Sequence, residues 1–239
     1  MVIDTTSNTL MFERDTPMTT MTSTASGTAV ASTSPKYGAA FFEKLWRGAG
    51  VQAVGLALVA TVVSGIQPVG PFIAAPLFGL AILNLTWWSA ALRTTLADQG
   101  LDGWGAAATA ASSAVNAIFF ILLALVTAAA AVAGTDPALA SGLIGLATTG
   151  FVLSSFPRAM LIMSGSFGFW RAGLISSRQF MVAVAAVIAG VLGGTTWFAD
   201  GFWSPTGLYA QVIWPAIGLV WVVVASRVLN RAPSTRTGF

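Results

Sequence analysis

Between Arg47 and Arg93 the sequence contains 45 consecutive residues without a charged side chain. A helix that spans a bilayer needs about 20 apolar residues, so this run has room for two spans. The run is broken by QPVGP at residues 67–71, which divides it into spans at 47–66 and 71–92. Soluble domains are about one quarter charged, whereas this chain is 8% charged and 56% hydrophobic. We therefore predict an integral membrane protein.

Four further apolar segments follow, and short polar stretches separate them. They lie within 105–134, at 137–171, at 180–198 and at 205–229. These segments predict an all-α fold, a bundle of six transmembrane helices that forms one domain over residues 39–231. Residues 1–38 are rich in Thr and Ser and poor in apolar residues, which predicts a disordered tail. Residues 232–239 are predicted to form a short polar C-terminal tail.

The positions of the basic residues predict the orientation of this bundle. With six spans, ten of the eleven Lys and Arg residues fall on one side, and the loops on the other side contain none. Cytoplasmic loops are enriched in Lys and Arg, so both termini are predicted to be cytoplasmic, in the plasma (inner) membrane of a bacterium. The ten residues are Arg14, Lys36, Lys44, Arg47, Arg93, Arg171, Arg178, Arg227, Arg231 and Arg236.

Proline marks the predicted start of every second span, at Pro71, Pro137 and Pro205. Proline is favourable in the first turn of a helix, where its missing N–H would have had no helical partner. The residues before two of these prolines, Asp136 and Ser204, have side chains that accept hydrogen bonds from helix N-termini. We therefore predict that they are the N-caps of spans four and six.

The eleventh basic residue, Arg158, lies inside span four. In spans two and six an arginine, Arg93 or Arg227, follows the opening proline by 22 residues, and Arg158 follows Pro137 by 21. This register favours an arginine at the inner membrane interface. The apolar residues 159–170 that follow favour the second interpretation, an intramembrane cation that binds an anionic substrate or a lipid headgroup. An acidic partner within the spans is missing from the sequence in either case.

Two asparagines complete the set of candidate site residues, which is Arg158, Asn84 and Asn116. Asn84 and Asn116 are predicted to lie at similar depths on consecutive antiparallel helices. The structural interpretation is an amide pair across the helix interface, and the functional one is a polar permeation path. In span five the small residues Ala186, Gly190 and Gly194 are spaced four apart, which predicts close helix packing, within the bundle or in a homodimer.

The composition argues against catalysis. The chain has no His and no Cys, and it contains no nucleophile-elbow, zinc-protease, phosphate-loop or dinucleotide-binding motif. We therefore predict a non-enzymatic protein without cofactor, metal or nucleic-acid partner. The leading hypothesis is an accessory or interaction subunit with a membrane-protein partner. The alternative is a transporter of a small solute or lipid, which uses Arg158 and mid-membrane polar residues, with the bilayer and an anionic lipid near Arg158 as partners.

Three stretches resemble a known group of proteins. They are WWSAALRTTL at 87–96, FPRAMLIMSGSFGFWRAGLISSRQF at 156–180 and FWSPTGLYAQVIWPAIGLVWVVVASRVLNR at 202–231. The chain is similar here to actinobacterial six-span membrane proteins of the family catalogued as domain of unknown function 4386. The resemblance implies six helices and no assigned activity. Arg158 departs from the group's pattern, in which an apolar residue more often follows Phe-Pro, and so does the Ser176–Ser177 pair.

Overall fold

The computed structural model describes residues 39–66, 69–196 and 200–232, and every regular element in these residues is helical. A 3₁₀ turn at Gly201–Trp203 and a π-helix at Tyr209–Ile213 precede the last helix. The α-helices are α1 Ala39–Ser64, α2 Gly70–Asp98, α3 Asp102–Val132, α4 Pro137–Leu153, α5 Ser155–Arg171, α6 Ser177–Gly193 and α7 Trp214–Arg231. The predicted tail at 1–38 lies outside the described residues, as do 67–68, 197–199 and 233–239.

Five helical segments are long and apolar enough to cross a membrane, which confirms the prediction of a membrane-type helical fold. The segments are Lys44–Ser64, Gly70–Asp98, Asp102–Val132, Pro137–Arg171, which combines α4 and α5, and Tyr209–Arg231. The sixth predicted span corresponds to α6, an apolar helix of 17 residues.

The helix starts agree with two of the three proline predictions. Pro71 and Pro137 lie in the first turns of α2 and α4, and the Asp136 side chain accepts a hydrogen bond from Leu139 N at 3.0 Å. The third prediction is wrong. The last span begins with the π-helix, after Pro205, because residues 204–207 form a turn in which Gln211 Nε2 donates to the Pro205 carbonyl at 2.6 Å.

Side-chain contacts bring six helix ends together at one end of the bundle. Arg47 at the start of α1 donates to carbonyls at the end of α7, and Arg93 near the end of α2 pairs with Asp102 at the start of α3 at 3.5 Å. The end of α5 and the start of α6 meet where the rings of Trp170 and Phe180 stack at 4.9 Å. Described basic residues other than Arg158 therefore collect at this end, which we call the basic end.

The α5 helix lies in the interior and packs against α2, α3, α6 and α7. Small residues allow this approach. A Cβ atom on Gly190 of α6 would lie 2.4 Å from the Trp214 ring and 3.0 Å from Ala159 Cβ, so the predicted small-residue face packs within the bundle. The buried residues of α5 are Ser155, Ala159, Leu161, Ile162, Ser164, Gly165, Ser166, Gly168 and Phe169.

Candidate functional site

The site is centred on a break in the fourth span. Pro157 has no N–H and cannot donate to the carbonyl of Leu153, and the helix is interrupted at Ser154, between α4 and α5. The side chain of Arg158 runs back along this break. Its Nε donates to Ser154 O at 3.2 Å, and its Nη2 donates to Phe151 O at 3.0 Å and to Ser155 Oγ at 3.1 Å. The break thus supplies the acceptors that hold the guanidinium in place.

Three aromatic rings surround the guanidinium. Arg158 Cζ lies 4.8 Å from the centroid of Phe151, 5.5 Å from Trp214 and 5.9 Å from Phe119. Ring faces attract cations, so these contacts partly replace the water that the group loses on burial. Within the described residues no Asp or Glu forms an ion pair with Arg158, and its Nη1 makes no hydrogen bond. One nitrogen of a partly buried cation therefore remains available to a ligand.

Arg158 lies far from the basic end. Arg171 follows it by 13 residues on α5, about 20 Å along the helix. The rings that contact Arg158 also lie far from the basic end. Phe119 lies 17 residues after Asp102 and Trp214 lies 17 residues before Arg231, so each is about 25 Å from that end.

The interpretation of Arg158 as an interfacial arginine, level with Arg93 and Arg227, is therefore wrong. It assumed that the three proline-initiated helices begin at one level. Pro137 lies 34 residues before Arg171 at the end of α5, whereas Pro71 lies 27 residues before Asp98 at the end of α2, so span four begins about 10 Å further from the basic end than span two. A position 21 residues after Pro137, where Arg158 stands, consequently lies in the interior of the bundle rather than at the basic end. Residues 159–170 continue as buried α5 helix rather than lying along a membrane surface.

The guanidinium borders a central cavity of about 460 Å³. The cavity lies between α1, α2, α3, α5 and α7, and Phe151 of α4 and Gln211 of the π-helix complete its lining. The lining is apolar except for Arg158, Thr61 and Gln211, and the hydroxyl of Thr61 donates to its own helix at Ala57 O. Gln211 donates one hydrogen bond to Pro205 O, and Arg158 is the charged residue among the described lining residues.

The two asparagines do not belong to this cavity. Asn84 Nδ2 donates to Leu80 O of its own helix at 2.9 Å, and Asn116 Nδ2 donates to Thr86 Oγ1 at 2.9 Å. The predicted amide pair between Asn84 and Asn116 is therefore wrong. Asn116 is buried, and its amide contacts α2, whereas Asn84 is only partly buried and its amide bonds to its own helix. Thr86, two residues along α2, presents the nearer oxygen.

Sequence reasoning found Arg158 and missed its ring partners. Phe119, Phe151 and Trp214 come from three different helices, and nothing in their spacing along the chain brings them together. The signal that could have been used is local. In the run SSFPR a helix-breaking proline and two serines directly precede an arginine, which places hydroxyl and carbonyl acceptors within about one turn of its side chain.

Comparisons with known proteins add no relative to this description. No protein-family model, no curated protein and no solved structure matches the chain. The resemblance to the domain of unknown function 4386 family stays a prediction, and the functional argument rests on the geometry of the cavity.

Proposed function

We propose that the chain is a six-span protein of a bacterial plasma membrane with both termini in the cytoplasm. Five segments have the length and hydropathy of membrane spans, and the 17 residues of α6 reach the lower limit of roughly 17–25 residues for a span. Described basic residues other than Arg158 collect at one end of the bundle. Under the positive-inside rule that end faces the cytoplasm.

Single cysteines test this topology, and the natural chain contains no cysteine that would interfere. A membrane-impermeant maleimide applied to intact cells is expected to label Thr135→Cys and Asp200→Cys. Gln99→Cys and Ser177→Cys should react only after the membrane is permeabilised. The opposite pattern would reverse the orientation. Because Ser177 and Asp200 flank α6, their labelling from the same side would instead contradict a sixth span.

For the activity we propose that the protein binds an anionic amphiphile from the bilayer in its central cavity. The observation that carries this proposal is the position of Arg158, a cation without an acidic partner in the described residues, which lines a mostly apolar space. Burying a charge is costly unless it is paired, and an anionic ligand would pair it. The cavity supports the transporter alternative, since an accessory subunit needs only a packed bundle.

Native mass spectrometry of the protein purified from cell membranes in a neutral detergent tests this activity. We expect the wild-type protein to retain an acidic amphiphile at about one per chain. The amount retained by Arg158→Gln should be at least tenfold lower, because charge-assisted hydrogen bonds contribute about 1.5–3 kcal/mol each. Arg171→Gln is the matched control, because Arg171 is exposed at the end of the same helix. Equal retention by the Arg158 and Arg171 variants, or no acidic ligand at all, would refute the proposal.

A further inference from the structure

The cavity also constrains which anionic amphiphile it accepts. Resting on the function proposed above, we infer that the ligand is a single-chain carboxylate of about 15 non-hydrogen atoms, with its carboxylate at Arg158 Nη1 and its chain along the apolar lining. The inference draws on three properties of the cavity, which are its charge, its polar groups and its volume.

The charge of the site favours a carboxylate headgroup. Among the described residues that line the cavity Arg158 alone is charged, so a ligand with one negative charge would leave these residues neutral overall. A phosphate monoester carries about −1.5 to −2 charges at neutral pH, and the surplus would remain buried without a partner. Because Nε and Nη2 already donate to the helix break, Nη1 alone is left, which is enough for the oxygens of one carboxylate.

The other polar side chains in the described lining are few, and each already donates a hydrogen bond to a nearby backbone carbonyl. The Thr61 hydroxyl donates to Ala57 O at 2.8 Å, and the Gln211 amide nitrogen donates to Pro205 O at 2.6 Å. The other lining positions are apolar or glycine, from Ala53 on α1 to Val222 on α7. A ligand that is charged at one end and hydrocarbon elsewhere therefore matches the lining.

The volume of the cavity matches that of one alkyl chain. If each non-hydrogen atom takes the ~30 Å³ of a water molecule in the liquid, 460 Å³ holds about 15 atoms. This is the size of a medium-length alkyl carboxylate, and dodecanoate and tetradecanoate are close to it. A phospholipid with two acyl chains is much larger than the cavity, so it would have to extend out of it past exposed lining residues such as Thr61 and Gln211.

Binding of alkyl carboxylates to the purified full chain in phosphatidylcholine nanodiscs tests the inference. Chain-brominated probes are suitable, because Trp221 lines the cavity and bromine quenches tryptophan fluorescence over short distances. We expect saturable quenching that is strongest for the dodecanoate and tetradecanoate probes and weaker for the octanoate and octadecanoate probes. Dodecanol and dodecyl phosphate should compete at least tenfold less well than dodecanoate.

A variant that shortens the cavity provides an independent readout. Pro215, Gly218, Leu219 and Val222 share one face of α7 and all line the cavity, and a Cβ on Gly218 would meet no atom within 4 Å. Gly218→Phe should weaken tetradecanoate binding at least tenfold. Gly142→Phe is the matched control, since Gly142 is an exposed helical glycine on α4 with equally open space around its Cβ.

The outcomes separate this inference from the function on which it rests. Equal competition by dodecanol and dodecanoate, tighter binding of dodecyl phosphate, or no dependence on chain length would overturn the carboxylate assignment. The chain-length series uses the wild-type protein, so it remains decisive if Gly218→Phe does not fold. If the wild-type protein retains an Arg158-dependent acidic ligand while alkyl carboxylates fail to bind, only the ligand class is wrong. If neither binds, the proposed function is wrong as well.

Discussion

Replacement of Arg158 by leucine is expected to abolish binding of the anionic ligand and to raise the stability of the ligand-free protein. A residue that serves the fold should destabilise the protein when it is removed. Arg158 instead brings a charge into an apolar interior without an acidic partner in the described residues. Replacing a buried ion pair by apolar residues of similar size is often neutral or stabilising by up to about 4 kcal/mol, and Arg158 lacks the ionic partner that offsets part of the cost of burial in such a pair.

The acceptors at the helix break do not lose their last donors in this variant. Phe151 O still accepts from Ser154 Oγ at 2.6 Å, and Ser154 O still accepts from the backbone N–H of residue 158 at 3.1 Å. A gain of about 1–2 kcal/mol corresponds to a rise of roughly 2–8 °C in the melting temperature for a chain of this size.

The measurement is thermal unfolding in neutral detergent, followed by tryptophan fluorescence, with ligand-free protein. Arg171→Leu is the control and should leave both ligand binding and melting temperature nearly unchanged. Arg158→Lys keeps the charge but loses the planar fork that reaches Phe151 O, Ser154 O and Ser155 Oγ together, so it should bind the ligand more weakly than wild type. A large loss of stability in Arg158→Leu would show that the arginine serves the fold.

Replacement of Arg47 by methionine is expected to cause the largest loss of stability. Arg47 is buried, and its Nη1 donates to Leu229 O at 3.0 Å and to Ala232 O at 2.9 Å. Leu229 O lies in the last turn of α7, where it also accepts from Ala232 N at 3.2 Å, and Ala232 follows the helix directly; a cation is favourable at this end of a helix. The side chain therefore joins the first and last helices.

Hydrogen bonds to charged groups contribute about 1.5–3 kcal/mol each, so Arg47→Met should lower the free energy of unfolding by about 3 kcal/mol or more. This corresponds to a fall of roughly 6–12 °C in melting temperature. Lys44→Met is the control, because Lys44 is exposed one turn earlier on the same helix, and we expect it to change the melting temperature little. An equal effect of the two substitutions would show that Arg47 has no special role in joining α1 to α7.

Helical class and most helix boundaries followed from the sequence because they depend on local chemistry. Charge-free apolar runs set the spans, and Pro71, Pro137 and Asp136 fixed helix starts through their own backbone and side-chain preferences. The start of the last span was missed for a physical reason. Gln211 satisfies the Pro205 carbonyl from within a π-turn, so the helix begins after the proline that was expected to open it.

The site was only partly predictable, because depth and neighbours are tertiary properties. The proline-to-arginine register placed Arg158 level with Arg93, yet its guanidinium contacts Phe119 and Trp214 in the interior. Counting residues from an opening proline cannot reveal that span four is longer than span two and begins further from the basic end. The same limitation explains Asn116, whose amide meets Thr86 rather than Asn84. The existence of an unusual arginine was visible in the sequence, and its surroundings were not.

The most direct test of a ligand site at Arg158 is a cryo-electron microscopy map of the wild-type protein in nanodiscs after incubation with dodecanoate. We expect elongated density inside the central cavity, with one end within about 3 Å of Arg158 Nη1, the distance of a charge-assisted hydrogen bond. The same map of Arg158→Gln should lack that density. An empty cavity in the wild-type map, or density of equal strength in both, would contradict the assignment of Arg158 as the ligand-binding residue.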